Sequence, residues 1–232
     1  VEIAAATAAA FRLLGSGDAG LWFIVWTSLA IAVLGLALAT VPAIAAAWLI
    51  ATRQFPGRRA VVVVAQAFLS FPTVLVGLIL YLLLTRQGPL GSLHLLFTPS
   101  GMVLGQAVIG FPVVLAFALS TLQGADVRLR ETAWVLGAGR WRTFFTVLRE
   151  LRFGLMAAVV AGFGRVIAEV GSALMIGGNI EGSTRTITTA IALETSKGEF
   201  AQGIALGIVL VALALLVNIG MAWLQGAGGF RR

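Results

Sequence analysis

The chain is 232 residues long, 59% hydrophobic and only 11% charged, with a net charge of +7 and no cysteine. A soluble domain covers itself with about 25% charged side chains, so most of this chain must be solvated by a bilayer. The absent thiols exclude disulfides, thiolate metal sites and cysteine catalysis, and the single histidine, His94, leaves nothing from which to build a histidine metal centre.

Residues 1–19 open with an alanine-rich stretch, Ile3 to Leu14, carrying Phe11 and Leu13 and closed by Gly15-Ser16-Gly17-Asp18. It is too short to span and predicts an interfacial helix on the outer face. Asp18 is placed to cap the first of five apolar spans, near 21–51, 60–84, 100–123, 153–178 and 201–225. Each covers ~30 Å of hydrocarbon at ~1.5 Å rise per residue. A cleavable signal peptide is the rival reading of the first span. Its apolar region would be only about 7–15 residues, whereas this run is continuous from Leu21 to Ile50.

Phe55-Pro56-Gly57 and Gln87-Gly88-Pro89-Leu90-Gly91 read as turns, and Thr98-Pro99-Ser100 as a helix start where proline's missing N–H does no harm. Pro42, Pro72 and Pro112 fall inside spans, where each frees a carbonyl and can kink the helix, as packing irregularity or as a gate hinge. Gly101/Gly105 and Gly203/Gly207 have the small-xxx-small spacing that lets helix backbones approach. Residues 179–199 are too polar to span. Their middle, Thr186 to Leu193, predicts a short helix dipping into the outer face.

Arginine placement sets an orientation. Arg53, Arg58 and Arg59 lie in one loop, Arg128, Arg130, Arg140, Arg142, Arg149 and Arg152 in another, and Arg231 and Arg232 at the end. The opposite loops are balanced or acidic. The positive-inside rule puts 52–59, 124–152 and the tail 227–232 in the cytoplasm and the N-terminus outside. That asymmetry accounts for the basic pI of about 11.6 without nucleic acid. No cytoplasmic regulatory domain is expected within these 232 residues.

The loop 124–152 runs Asp126-Val127-Arg128-Leu129-Arg130-Glu131-Thr132-Ala133-Trp134-Val135-Leu136-Gly137-Ala138-Gly139-Arg140-Trp141 and on through Phe144 and Phe145. Aromatic and leucine side chains in a helix-forming, water-facing loop suit a knob that enters a partner's cleft, with Ala133 and Gly137 leaving a bare strip at i, i+4. The alternative is an amphipathic helix resting on anionic lipid through its arginines.

Glu131, Ala133, Gly137 and Val147 resemble the E-A-A-x3-G-x9-I-x-L-P signature of binding-protein-dependent ABC importer permeases, departing from it at Thr132 and at Arg149-Glu150. Phe55 to Arg59, Gly88 to Gly91, Phe163 to Gly171 and Gly177-Gly178-Asn179-Ile180 occur in the order seen in permeases for molybdate, sulfate and tungstate. The combination of Arg149-Glu150, Gly177-Gly178-Asn179-Ile180 and Thr184 to Glu194 looks most like the tungstate branch.

The resemblance implies an all-α integral membrane protein with the type I ABC importer fold, permease domain 20–226, in a bacterial or archaeal cytoplasmic membrane. It implies a coupling helix that engages an ATPase through Glu131, Thr132, Ala133, Leu136, Gly137, Ala138, Arg140 and Trp141. It also implies a second permease copy, two ATP-binding cassette subunits carrying ATP and Mg, and an extracytoplasmic oxyanion-binding protein. The chain has no G-x4-G-K-[ST] phosphate loop of its own.

Arg165 and Glu169 are the ionisable residues placed deep within a span, where an isolated charge costs roughly 2.5–3.5 kcal/mol. At i, i+4 they can pair, with Ser172 one turn further on the same stripe. The stripe is either a structural pair or, with Pro72, Pro112 and Asn179, part of the translocation path or its gate. Asn179, after Gly177-Gly178, suits a helix C-cap or a gating amide. Arg185 and Lys197 could steer an anion or remain ordinary solvated charge. A proton-coupled secondary transporter using Glu169 is the reading from a different class. A membrane scaffold and an intramembrane hydrolase are weaker readings.

Overall fold

The computed structural model describes the backbone of residues 3–229 and the side chains of residues 4–223, so the expected Arg231-Arg232 cytoplasmic end lies outside the described residues. Among the described residues the regular elements are all helical. Helix α1 spans Ile3–Gly15 and α2 spans Ala19–Thr52. Asp18 Oδ1 accepts the Leu21 N–H at 2.7 Å, the expected cap. The α-helix of α2 continues through Pro42 without a break.

Gly57, at a left-handed φ of 85°, turns the chain into α3, Arg58–Ala67, which tightens to a single 3-10 turn at Phe68–Ser70. Helix α4, Thr73–Leu84, then leaves at 96°. The second apolar run is therefore a broken span rather than one continuous helix over 60–84. Phe71, immediately before proline, is extended at φ −70° and ψ 135°, the conformation proline imposes on its predecessor. A short connection with one 3-10 turn at Gly91–Leu93 leads to α5, Pro99–Gln123. Thr98 caps α5 by accepting the Gly101 N–H, Pro99 occupies its first turn, and Pro112 is absorbed without a break.

Helices α6, Val127–Val135, and α7, Arg140–Glu150, form the connection to α8, Arg152–Ile167. The chain breaks again at Ala168–Val170 and α9, Gly171–Gly177, leaves at 64°, so the fourth span is also a bent pair. Helix α10, Ile187–Lys197, starts where expected and runs past Leu193. Helix α11, Phe200–Gly229, carries the last span beyond its expected end near 225, through the first residues of the expected tail. Among the described residues three helices are long and apolar enough to cross a membrane, and the two bent pairs bring the total to as many as five spans.

The core is the α2–α5–α8 stack, built on small residues. Ala32, Leu36, Ala43 and Ala47 of α2 meet Val114, Ala118 and Leu122 of α5 and Leu155, Ala158 and Val166 of α8. A Cβ on Gly35 would lie 2.6 Å from Gln106 Cβ, and one on Gly162 would lie 2.7 Å from Val114 Cγ2, so glycine sets how closely these helices approach. At the other end α1, α2, α10 and α11 share a second cluster around Ala10, Leu21, Ile187 and Leu206. Trp26, Leu34, Leu38 and Val41 of α2 and Leu215, Leu216 and Trp223 of α11 stay exposed, as a lipid-facing surface requires. The two expected glycine pairs differ: Gly105 packs on Ile176, whereas a Cβ on Gly207 would meet nothing within 4 Å.

Candidate functional site

The candidate residues fall into two groups, the α6–α7 loop and the buried polar centre around Glu169. The loop folds as a helical hairpin rather than a single coupling helix. Asp126 Oδ1 caps α6 through the Arg128 N–H at 2.9 Å. The hairpin bends at Gly137, whose φ of 78° permits the Ala138 N–H to reach back to Ala133 O at 2.9 Å. Thr143 and Val147 turn inward from α7, and Phe144 sets its edge against Trp48 with ring centroids 5.1 Å apart, tying the hairpin to the end of α2.

What remains is an exposed apolar tip: Val135 is 87% exposed, Leu136 80% and Trp141 76%, with Trp134 and Phe145 beside them. Glu131, Thr132, Gly137 and Arg140 are also exposed, and Ala138 is half-buried. The expected bare strip is corrected: Ala133 is buried beneath the hairpin while Gly137 sits outside the helix, so the two do not share an open face. The apolar tip is held by a cap, a left-handed glycine and an aromatic edge contact, and it is left uncovered in this chain. The ends of α2 and α5, Arg58 and the start of α6 line one common cleft, so loops 52–59 and 124–152 lie at the same end of the molecule.

At the centre, Arg165 Nη1 donates to Glu169 Oε2 at 3.0 Å. Glu169 lies in the break after α8, not on a continuing helix face, and its Oε1 accepts the Ser172 N–H at 3.0 Å in the first turn of α9. This corrects the continuous Arg165–Glu169–Ser172 stripe: the carboxylate links two half-helices. Its two partners compensate the charge that burial would otherwise penalise. The Glu169 side chain is almost wholly enclosed, whereas about a third of the Arg165 side chain is exposed. Arg165 opens onto an apolar groove lined by Phe68, Phe71, Thr73 and Pro112, and Pro72 stands at the break beside it. The broken halves α4 and α9 pack together, with Gly77 on Ser172 and Gly171 on Val74. The structure thus gathers Arg165, Glu169, Ser172, Pro72 and Pro112 around the two breaks.

Asn179 stands apart from them. Gly178, at φ 68°, closes α9 by donating to Leu174 O at 3.0 Å, so the cap belongs to Gly178, while Asn179 follows at φ 53° with its Oδ1 buried. Arg185 pairs with Glu181 at 3.3 Å and Lys197 with the buried Glu194 at 3.1 Å. Sequence reasoning missed Ser28 and Gln106, which face Glu169 and the start of α10 from the middles of α2 and α5. Their signal was polar side chains inside an apolar span, Ser28 beside Thr27 in α2 and Gln106 in α5. Ser28 Oγ accepts the Ile187 N–H at 2.6 Å, and Thr188 donates to Glu169 O at 2.6 Å, so α10 is fastened to both α2 and the break.

Comparison with known families matches residues 43–227 to the model described as "Binding-protein-dependent transport system inner membrane component". A probable anion ABC transporter permease protein of Haloferax volcanii is 44% identical over 72% of this chain and 74% of its own. A tungstate uptake system permease protein of Peptoclostridium acidaminophilum is 35% identical over 94% of this chain and 95% of its own. A molybdenum transport system permease protein of Escherichia coli K12 is 35% identical over 77% of this chain and 82% of its own.

Proposed function

The chain belongs to the family of binding-protein-dependent transport system inner membrane components, and from that premise we propose that it is the permease subunit of an ATP-driven importer for a tetrahedral oxyanion, with tungstate as the cargo. The observation that carries the cargo assignment is similarity to a tungstate uptake permease along 94% of the chain. Molybdate is the second reading, favoured by the shorter match to a molybdenum permease.

In this reading two copies of the chain enclose the pathway, and two ATP-binding subunits, carrying ATP and Mg, seat the α6–α7 tips. An extracytoplasmic binding protein delivers the anion at the α1–α10 end. The arginine-rich loops face the cytoplasm and the N-terminus faces outward, as the positive-inside rule directs. Glu131, Thr132, Ala133, Leu136, Gly137, Ala138, Arg140 and Trp141 form or support the seat. Arg165, backed by Glu169, offers the passing dianion a partly neutralised cation, weak enough to release it. Pro72, Pro112 and Ser172 stand at the bends where the halves of the broken spans change angle, and Asn179 marks the outer end of α9. Glu169 fits a positioning role better than a proton relay, because Arg165 and the Ser172 N–H engage one carboxylate oxygen each.

The test is purification with native partners, followed by ATPase assays with the binding protein loaded with tungstate, molybdate or sulfate. Stimulation greatest with tungstate supports the assignment. Equal stimulation by unloaded binding protein, or uptake that survives ATP depletion, contradicts it.

A further inference from the structure

Behind the α8–α9 break, Ser28 of α2, Gln106 of α5, Glu169, and Thr186 and Thr188 at the start of α10 line a cavity of about 10 Å³. All five residues are buried. Gln106 Oε1 has no hydrogen-bond partner among the described residues.

Following the protons shows why no neighbour supplies one. The Thr188 hydroxyl donates to Glu169 O at 2.6 Å and the Ser28 hydroxyl to Ile24 O at 2.8 Å. The Thr189 hydroxyl reaches Thr186 O at 3.1 Å, and the Thr186 hydroxyl has the Thr189 and Thr188 oxygens at 3.1 and 3.3 Å. The Glu169 carboxylate only accepts, from Arg165 and from the Ser172 N–H. The hydroxyl protons of the polar wall are therefore engaged elsewhere, and the carboxylate has no proton to give. A buried amide oxygen left without a donor forfeits far more than an ordinary hydrogen bond contributes.

We propose that this cavity is a binding site for one resident water molecule. It donates to Gln106 Oε1 and to an oxygen of the Glu169–Thr188 wall, joining α5 to the break and to α10. The space is about that of a single water, and the site offers the several polar partners such a water requires. A monovalent cation would find the same lone pairs, but Arg165 already neutralises the carboxylate, so a neutral donor is the better match. Gln106 is thereby a positioning residue: the water makes the α8–α9 break and the outer helix follow α5. This inference stands on the cavity alone and does not depend on the cargo.

The experiment is a cryo-electron microscopy map of the complete transporter in lipid nanodiscs, at a resolution that shows ordered water, recorded in sodium and again in choline. A peak at hydrogen-bond distance from Gln106 Oε1, with at least one partner on the opposite wall and present in both salts, is the expected result. The same peak is lost in Gln106→Leu, which has no acceptor to satisfy. Gln106 bonded directly to a protein group with no intervening density overturns the proposal. So does a peak closer than hydrogen-bond distance to most of the wall oxygens that disappears in choline, which assigns the site to sodium. The wild-type maps decide the matter whether or not the variant folds.

Discussion

Arg165 Nη1 lies 3.0 Å from Glu169 Oε2, and the pair reaches across the point where α8 stops and the chain turns by 64° into α9. One partner faces an apolar groove and the other is enclosed, so the two charges have different tasks although they neutralise each other. Arg165→Ala leaves an uncompensated carboxylate inside the span, which destabilises by about 3–5 kcal/mol. It is also expected to reduce anion uptake by about tenfold, equivalent to ~1.4 kcal/mol on the barrier. Glu169→Gln keeps an acceptor for the Ser172 N–H and is expected to be the milder change. Adding Glu169→Gln to Arg165→Ala should restore part of the lost melting temperature without restoring uptake. Full uptake by an assembled Arg165→Ala complex would remove the guanidinium from the pathway.

Gly77 is one of the close contacts between the two broken spans: a Cβ there would sit 2.6 Å from Ser172 Cα, against backbone rather than a yielding side chain. Gly77→Ala is expected to push α4 from α9 at a destabilisation of about 1–3 kcal/mol. Gly207→Ala, with nothing within 4 Å of the new methyl inside α11, serves as the control and should not lower the melting temperature. Thermal unfolding of the two variants in the same detergent separates a packing effect from a general intolerance of alanine.

These relationships mark where sequence reasoning worked and where it stopped. Asp18 as a cap and Thr98-Pro99-Ser100 as a helix start were readable because a cap is a local contract between a side chain and the next few N–H groups. The C-cap of α9, by contrast, fell on Gly178, one residue before Asn179. The span positions were readable because mean hydropathy is a property of a window. The breaks were not, since Pro42, Pro72 and Pro112 look alike in sequence. Only Pro72 follows an extended residue and a 3-10 turn, and α4 beyond it is captured by α9. Ala133 shows the same limit: its spacing from Gly137 suggested an open strip, but the left-handed bend at Gly137 ends the helix and turns Ala133 inward. Gln106 and Ser28 were hidden because one polar residue scarcely alters the average of a long apolar run.

Ser28 holds α10 in place across the core, since its Oγ accepts the Ile187 N–H at 2.6 Å from 159 residues away. Ser28→Ala leaves that buried N–H without an acceptor and should destabilise by about 1–3 kcal/mol. Hydrogen exchange at the Ile187 amide is the direct readout, and exchange should quicken there before it does in α5. Unchanged protection at Ile187 would show that packing alone seats α10.

The α6–α7 tip is exposed enough to be altered without touching the fold. Leu136→Glu and Trp141→Ala should change stability by no more than about 0.5 kcal/mol. Uptake driven by ATP should nevertheless fall by about tenfold, because the apolar seat for the motor subunit is lost. Thermal unfolding alongside binding-protein-stimulated ATPase activity checks both halves of the expectation. A large fall in melting temperature for Leu136→Glu would mean that the tip stabilises this chain rather than its partner.

The most direct measurement is a site-specific cross-link from that tip. The chain contains no cysteine, so a single cysteine placed at Leu136, which is 80% exposed, reports one position without background. In the assembled transporter it should cross-link to the nucleotide-hydrolysing subunit, with a yield that changes when ATP is bound and hydrolysed. Reaction with lipid alone, in a complex that still hydrolyses ATP and imports the anion, would contradict the account.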